Sequence, residues 1–466
     1  MSILNYNPIL STDSYKLSHA FAYPDNVTGM FSYIESRTNG RDIIVPFGLQ
    51  MWLQKFMTIK VTMSHINEAE TFAEMHGEPF SRTAWEKVVR EYDGYFPLTI
   101  RAVPEGTPVR SGNALVTIKC EDPDLFWLCS YIETSLLRGF WYPTTIASMD
   151  YDIKQEIKRF YEISGADLNL LPFSYHDFGG RGVTSAEQAE IGGAAHLVNF
   201  MGSDTIEGVR AANTYYNETM SAFSVPATEH SVQCSFGNGD RESEIKYLRH
   251  VIKNLAKPGG IVSVVIDGYD VYRATEILCT ELRDEIIASG AKIVFRPDSG
   301  DMLEVIPRIL RMQEMAFGAV VNEKGYKKIN HVGIIQGDGV DHMAIKTVLG
   351  NILAMNYSAD NVIFGSGGSL LQKVSRDSYN FAMKASAILV DDNWVGIAKN
   401  PITDPGKKSK EGVLTLVRSR MTNQISTARI DLGLNEEFED IMVTIYDHGK
   451  LENITTLSEI RIRAAN

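Results

Sequence analysis

The chain has 466 residues, and 45 Lys and Arg against 58 Asp and Glu give a formal net charge of −13. Hydrophobic residues at 44% and charged residues at 22% argue against a disordered chain. The acidic balance argues against a broad surface for nucleic acid or anionic membrane, which needs a net basic face, but leaves room for a local basic site.

Cys120, Cys129, Cys234 and Cys279 are widely spaced and form no CxxC pair. Neither a disulfide framework nor a zinc site is expected, and a reducing cytoplasm fits best. The opening MSILNYNPIL has no basic leader and no long apolar run. No stretch approaches ~18 uninterrupted apolar residues, so no membrane span is expected.

Residues 39–165 mix a helical pattern over 81–92 with β-like runs over 98–103 and 114–118. From about residue 170 to 375 a different pattern recurs: an apolar run closes on Gly, Asp, Arg or His, and a helical pattern usually follows. Its clearest members are IVSVVIDGYD, AKIVFRPDSGD, HVGIIQGDGVD and NVIFGSGGSL, preceded by LPFSYHDFGGRG, LVNFMGSDT and FSVPATEHS. Between them, Ile245, Leu248, Ile252 and Leu255 form a helical stripe, and Thr184 with Glu187 offers a capping box before a helix over 186–197. A further helical pattern is read over 370–376. Strands alternating with helices imply βα units around a parallel sheet, and seven units would make a complete or nearly complete barrel. The remaining residues return to β-like runs at 387–390, 412–417 and 440–446. The expected fold class is α/β. A barrel-like domain takes 1–38 and 166–375, and a discontinuous α+β companion takes 39–165 and 376–466.

In a βα barrel the site lies at the C-terminal strand ends, and the unusual polar residues fall there. FGSGGSL (364–370) suits close approach of backbone N–H groups to a phosphate, and suits a tight βα turn as well. Asp338 in IIQGDGVD can accept from ribose hydroxyls or cap a helix. RPDSG puts Arg296 and Asp298 at one strand end, as ligand contacts or as an internal ion pair. In HDFGGRG, Phe178 can stack on a flat heterocycle or fill core, beside Arg181. Asp204 in MGSDT is a strand-end carboxylate or a cap. PATEHS sets Glu229 beside His230. If Asp267 holds Nδ1–H of His230, Nε2 is left as base or nucleophile.

The ordered set of motifs resembles the nicotinamide phosphoribosyltransferase family, of the type II phosphoribosyltransferases. The likeness is carried by TDSYKLSH, SYIESR, FGLQ, EYDGYFP and AVPEG. It continues through HDFGGRG, GSDT, SVPATEHS, RPDSG, IQGDGVD, FGSGGSLLQK and DPGKKSK, nearly the whole chain in order. The resemblance implies conversion of nicotinamide and 5-phosphoribosyl 1-pyrophosphate to nicotinamide mononucleotide and pyrophosphate. It also implies ATP as co-substrate acting through a phosphohistidine, and a homodimer with interfacial sites. Mg2+ would be held mainly by substrate phosphates.

By that resemblance Phe178 stacks on the pyridine ring, and Tyr15 of a second copy covers its other face. Asp204 accepts from the carboxamide NH2 and Arg296 meets its oxygen. Asp298 and Asp338 hold the ribose, while Gly337, Gly367 and Gly368 cradle the 5′-phosphate. His230 is the phosphorylated residue, with Asp267 positioning it and Glu229 beside it. Arg37, Arg376, Lys384 and Lys399 meet pyrophosphate or ATP phosphates, and Arg181 lies near ring and phosphates. Two departures stand out: Gly180 where some relatives are bulkier, and Ser369 where some have a third glycine. The alternative is a nicotinate phosphoribosyltransferase. A catalytically idle nucleotide-binding relative and a sugar hydrolase are the other readings.

Overall fold

The computed structural model describes residues 6–38, 40, 42–403 and 408–465. Residues 404–407 of the DPGKKSK motif lie outside the described residues. The chain divides into two compact units, one of Met1–Ser148, Ala212–Glu218 and Val374–Asn466, the other of Met149–Ala211 and Thr219–Lys373.

The second unit is built on six parallel strands. In sheet order they are Gly202–Ser203, Tyr175–Asp177, Val362–Ser366, Val332–Gln336, Lys292–Arg296 and Ile261–Val265. The apolar runs form strands because both faces are covered, as Val332–Gln336 illustrates by being buried at every position. Ile334 stands between Phe295 and Val362 in register. Residues 223–228 then close the sheet on itself. They bridge Gly202 at one edge through Phe223 and Ser263 at the other through Ala227, both in parallel sense. Ser203 N donates to Phe223 O at 3.1 Å, Ser263 N to Pro226 O at 2.9 Å and Thr228 N to Ser263 O at 3.1 Å. Pro226 has no N–H to offer a ladder, which fits a bridging segment rather than a full strand. All seven segments read in the sequence lie in this ring.

The helices between them include Arg241–Leu255, Met302–Phe317 and His342–Ala354, each started by an aspartate accepting from the first turn. Two local expectations change. The cap of Ala186–His196 is Ser185, whose hydroxyl accepts from Gln188 N at 3.1 Å, while Thr184 binds the Gln188 side chain. The helix expected over 370–376 is a single turn, Gly368–Leu371. Beyond it, Ser375 N donates to Ser378 Oγ and a 3-10 turn Arg376–Ser378 begins, a local side-chain bond that competes with helix continuation.

The first unit carries a seven-stranded sheet in the order Asn393–Gly396, Phe381–Val390, Val27–Ser36, Ala114–Cys120, Thr99–Ala102, Val443–Asp447, Lys450–Leu451. A three-stranded sheet centres on Leu414–Ser419. Two of the motifs that carry the resemblance serve this fold. Gln50 of FGLQ donates to Tyr215 O and Thr455 O and accepts from Thr455 N. Glu105 of AVPEG is buried and accepts from Gln50 N at 2.9 Å. Gly106 follows at φ +85°, where a Cβ would lie 2.4 Å from Ile460 O, so glycine is required twice over. Among the described residues no helix is long and apolar enough to cross a membrane.

Candidate active site at the strand ends

Phe178 follows the strand Tyr175–Asp177, and its N donates to Ser366 O at 2.9 Å. Its half-buried ring lies over glycine. A Cβ at Gly365 would fall 2.0 Å from ring Cε2, and one at Gly337 would fall 3.5 Å from the ring and 2.9 Å from Asp298 Oδ1. Two neighbouring strand ends therefore give up side chains to seat one aromatic ring. In the sequence Gly365 reads only as one of the glycines closing its strand, because its need as a seat for Phe178 comes from a ring 187 positions away.

Asp204 follows the two-residue strand Gly202–Ser203. Its N donates to Asp177 O at 2.9 Å, and Oδ1 accepts from Ser224 Oγ at 2.5 Å. The carboxylate is thereby oriented while the residue stays exposed.

The aspartates of the loops in this unit fall into two groups. Asp240, Asp270, Asp301 and Asp341 cap helices. Asp267 and Asp298 do other work. Asp298 lies 3.8 Å from Arg296, too long for a hydrogen bond. Burial pushes its carboxyl above the usual carboxylate value; Asp267 and Asp338 add to the rise, and Arg296 and His230 oppose it. These five groups share one electrostatic neighbourhood. Arg296 Nε is buried with no partner among the described residues, a donor left over for a ligand oxygen. The cap at the Asp338 strand end is Asp341, so the capping reading of Asp338 is set aside.

His230 opens the short helix His230–Cys234. Its Nε2 lies 2.9 Å from Asp267 Oδ1, the histidine half exposed and the aspartate 5% exposed. The bond corrects the expected tautomer: Asp267 takes Nε2–H, and Nδ1 is the nitrogen left over. Gly268 N donates to Gln233 Oε1 at 3.0 Å, tying the Asp267 turn to the helix that carries His230. Thr228 Oγ1 meets Tyr247 OH at 2.6 Å and accepts from Val265 N at 3.0 Å, fixing the segment just before it. The Glu229 carboxylate accepts from Ser231 Oγ.

Gly367 and Gly368 stand where the loop after Val362–Ser366 meets the loop after Phe178. A Cβ at Gly367 would lie 3.3 Å from Phe178 O, and one at Gly368 3.0 Å from Gln372 Oε1. Close loop packing is thus one reason for both glycines. With only one helical turn following, an anion here would meet loop amides rather than the dipole of a long helix. Arg181 is exposed.

The other predicted residues belong to the first unit. Lys384 faces Tyr33 across the strand pair and donates to Met383 O at 2.6 Å. Burial lowers its ammonium pKa; Glu133 opposes this, and Arg37, Lys399 and Lys16 reinforce it. Four cations therefore share one locality. Arg37 Nε donates to Glu35 at 3.1 Å, and its Nη2 is buried without a partner among the described residues. Lys16, absent from the sequence reading, is buried and paired with Glu133 at 2.8 Å. Tyr15 is 54% exposed, with Lys16 Nζ 5.5 Å from its ring centroid. Arg376 is exposed, 3.8 Å from Asp377.

A closed parallel βα ring with carboxylates, a paired histidine and glycine turns at one end defines a barrel of the type II phosphoribosyltransferase class. The chain belongs to the nicotinate phosphoribosyltransferase (NAPRTase) family, whose model matches residues 173–449, and residues 7–100 match the nicotinamide phosphoribosyltransferase N-terminal domain. It is 45% identical over 462 residues to the nicotinamide phosphoribosyltransferase of Xanthomonas campestris pv. campestris, covering 98% of both chains. It is 30% identical to that of Acinetobacter baylyi, covering 98% of this chain and 97% of that one. Two solved structures share the fold at 16% identity, each covering 97% of this chain and 93% of the other. They are nicotinate-nucleotide pyrophosphorylase from Pyrococcus furiosus (TM-score 0.63) and human nicotinic acid phosphoribosyltransferase (TM-score 0.56). The chain is a pentosyl-transferring enzyme.

Proposed function

We propose that this enzyme joins nicotinamide to the phosphoribosyl group of 5-phosphoribosyl 1-pyrophosphate, yielding nicotinamide mononucleotide and pyrophosphate. The observation that carries the choice of base is Asp204, an oriented carboxylate whose amide is bonded to the residue preceding Phe178. A carboxylate attracts a carboxamide NH2 and repels the carboxylate of nicotinate, so it selects by attraction and by repulsion. The 45% identity to a nicotinamide phosphoribosyltransferase points the same way.

In this reading the Phe178 ring holds the pyridine flat, with its nitrogen aimed at ribose C1. The N–C1 bond forms as the C1–O bond to pyrophosphate breaks, through an oxocarbenium-like arrangement. Little proton transfer is needed, so catalysis rests on positioning and electrostatics. Asp298 and Asp338 take the ribose hydroxyls, and Gly337, Gly367 and Gly368 admit the 5′-phosphate. Arg296 meets the carboxamide oxygen, and Arg181 lies near ring and phosphates. Arg37, Arg376, Lys384 and Lys399 bind pyrophosphate or ATP phosphates, and Tyr15 of a second copy in a homodimer covers the ring.

Mg2+ would be held mainly by the substrate phosphates, since among the described residues no group of three or more His, Cys, Asp or Glu side chains is placed to hold a metal ion. Bound there, Mg2+ would offset charge on the leaving pyrophosphate. ATP coupling runs through His230. With Nε2–H held by Asp267, the Nδ1 lone pair attacks the γ-phosphorus of ATP and ADP leaves. The phosphohistidine then adds about −1.5 to −2 charge beside Asp298, by analogy with other phospho-residues. Product analysis with nicotinamide or nicotinate, phosphoribosyl pyrophosphate and Mg2+, with and without ATP, tests the proposal. Nicotinamide mononucleotide as main product is expected, and a kcat/KM preference for nicotinate overturns it.

A further inference from the structure

Beneath the Asp204 strand end lies an ionisable pair that the reaction scheme does not use. His196, from the helix Ala186–His196, and Asp150, from Glu133–Ser164, are both fully buried. His196 Nδ1 lies 2.7 Å from Asp150 Oδ2, and Nε2 lies 3.1 Å from Gly202 O. A carbonyl oxygen can only accept, so Nε2 carries a proton. Burial raises the Asp150 carboxyl to about 6, with the charge and hydrogen bond of His196 opposing the rise; above that value the carboxylate is ionised and can only accept as well, so Nδ1 carries the second. Asp150 Oδ1 is buried with no partner among the described residues, which leaves His196 as the group that balances this carboxylate.

The surroundings support a charged ring. The Phe200 ring stacks at 5.4 Å and 19°, and Tyr175 meets it edge-on at 5.7 Å. From the strand Tyr175–Asp177, Asp177 adds negative charge. His176 on the same strand stays neutral. Burial and the charge of His196 push it down to about 4, and its Nε2 lies 3.0 Å from Phe173 O. Burial alone would lower the His196 value, but the charge and hydrogen bond of Asp150, then Asp177 and the Gly202 carbonyl, hold it above the usual imidazole value.

We propose that His196 is a positioning residue for base selection: as an imidazolium paired with Asp150, it grips the Gly202 carbonyl and fixes the strand end presenting Asp204. The strand is only two residues long, so its ladder is brief and one added anchor carries a large share of its order. Ser203 N reaches Phe223 O, and Asp204 N reaches Asp177 O, so the grip on Gly202 is passed to Asp204 within two residues. The selection role rests on the reading that Asp204 recognises the carboxamide.

Three measurements on the full chain test this. In protein carrying 15N-histidine, His196 is expected to show two protonated ring nitrogens from pH 6.5, the ordinary imidazole value, to pH 7. A bare Nδ1 in that range overturns the imidazolium. His196→Gln is expected to lower the nicotinamide-over-nicotinate ratio of kcat/KM about tenfold, chiefly through a raised KM for nicotinamide. The same change in an Asp204→Asn background is expected to alter the ratio no further. Equal losses for both bases, or an undiminished effect in that background, would reduce His196 to a purely structural role and overturn the proposal. Asp150→Asn, read the same way, carries the test if His196→Gln does not fold. A wild-type enzyme that makes no nicotinamide mononucleotide overturns the selection role through the reading it rests on, while the labelled spectra still decide the protonation of the pair.

Discussion

Asp267 Oδ1 accepts from His230 Nε2 at 2.9 Å, and this single bond leaves Nδ1 as the ring nitrogen that the carboxylate does not take. The carboxylate is buried and the ring half exposed, so the pair is anchored on the protein side and open on the other. Under the proposed ATP coupling, the phosphorylated atom is accordingly predicted to be Nδ1. Brief exposure to labelled ATP followed by NMR of the phosphohistidine should identify the Nδ1 isomer, and the Nε2 isomer would refute this. His230→Ala and Asp267→Asn should both abolish ATP stimulation, the first with complete loss of label. Retention of full ATP-stimulated turnover in His230→Ala would remove the phosphohistidine from the mechanism.

Asp204→Ser removes the repulsive carboxylate and should relax discrimination between the two bases. Nicotinamide kcat/KM is expected to fall about 10- to 100-fold while nicotinate improves or holds. Steady-state kinetics with both bases check this. A variant that keeps the wild-type ratio would show that Asp204 does not choose the base.

Gly365→Ala tests the seat of Phe178. The added Cβ would lie 2.0 Å from the ring, so the ring must move. A raised KM for the pyridine substrate, about tenfold or more, is expected, with about 1–3 kcal/mol lost in stability from overpacking. Thermal melting and substrate titration separate the two effects. Gly350→Ala, which meets nothing within 4 Å and like Gly365 is not at positive φ, controls for loss of a glycine and should leave KM alone.

Glu105 offers a pH test of stability away from the strand ends. Burial raises its carboxyl to about 7, opposed by the hydrogen bond from Gln50 N. A carboxyl whose folded value lies above its unfolded value stabilises the fold below the unfolded value, and that contribution is lost as pH rises through the folded value. The loss therefore runs from about 4.5 to about 7. Glu105→Gln should flatten the decline in Tm between pH 5 and pH 8, raising Tm relative to wild type at the upper end. Parallel slopes in the two proteins would contradict this.

Much of the barrel was legible because its strands are buried on both faces and must be continuously apolar. That is a local property, readable in runs such as IVSVV and VGIIQ. The strand-end location of Phe178, Asp204, Asp267, Arg296 and Asp338 was legible for the same reason. Their partition was not. Asp338 and Asp341 stand three residues apart at one strand end, and only the backbone path makes Asp341 the cap. Ser185 rather than Thr184 begins its helix for a similar reason. At 370–376 the helical pattern was outweighed by side-chain bonding around Ser375.

The sequence by itself determined the family, the order of the seven barrel segments and the identity of the groups at their ends, because motif order and hydrophobic runs are written along the chain. Tertiary structure alone decided which atoms those groups present. The free nitrogen of His230 depends on where Asp267 arrives from 37 residues away, the seat of Phe178 on Gly365, and the hydrogen bond on the Gly202 carbonyl on His196 and its partner Asp150. Hydrogen bonds and close packing act over about 3–4 Å in space, and sequence separation carries no record of such distances.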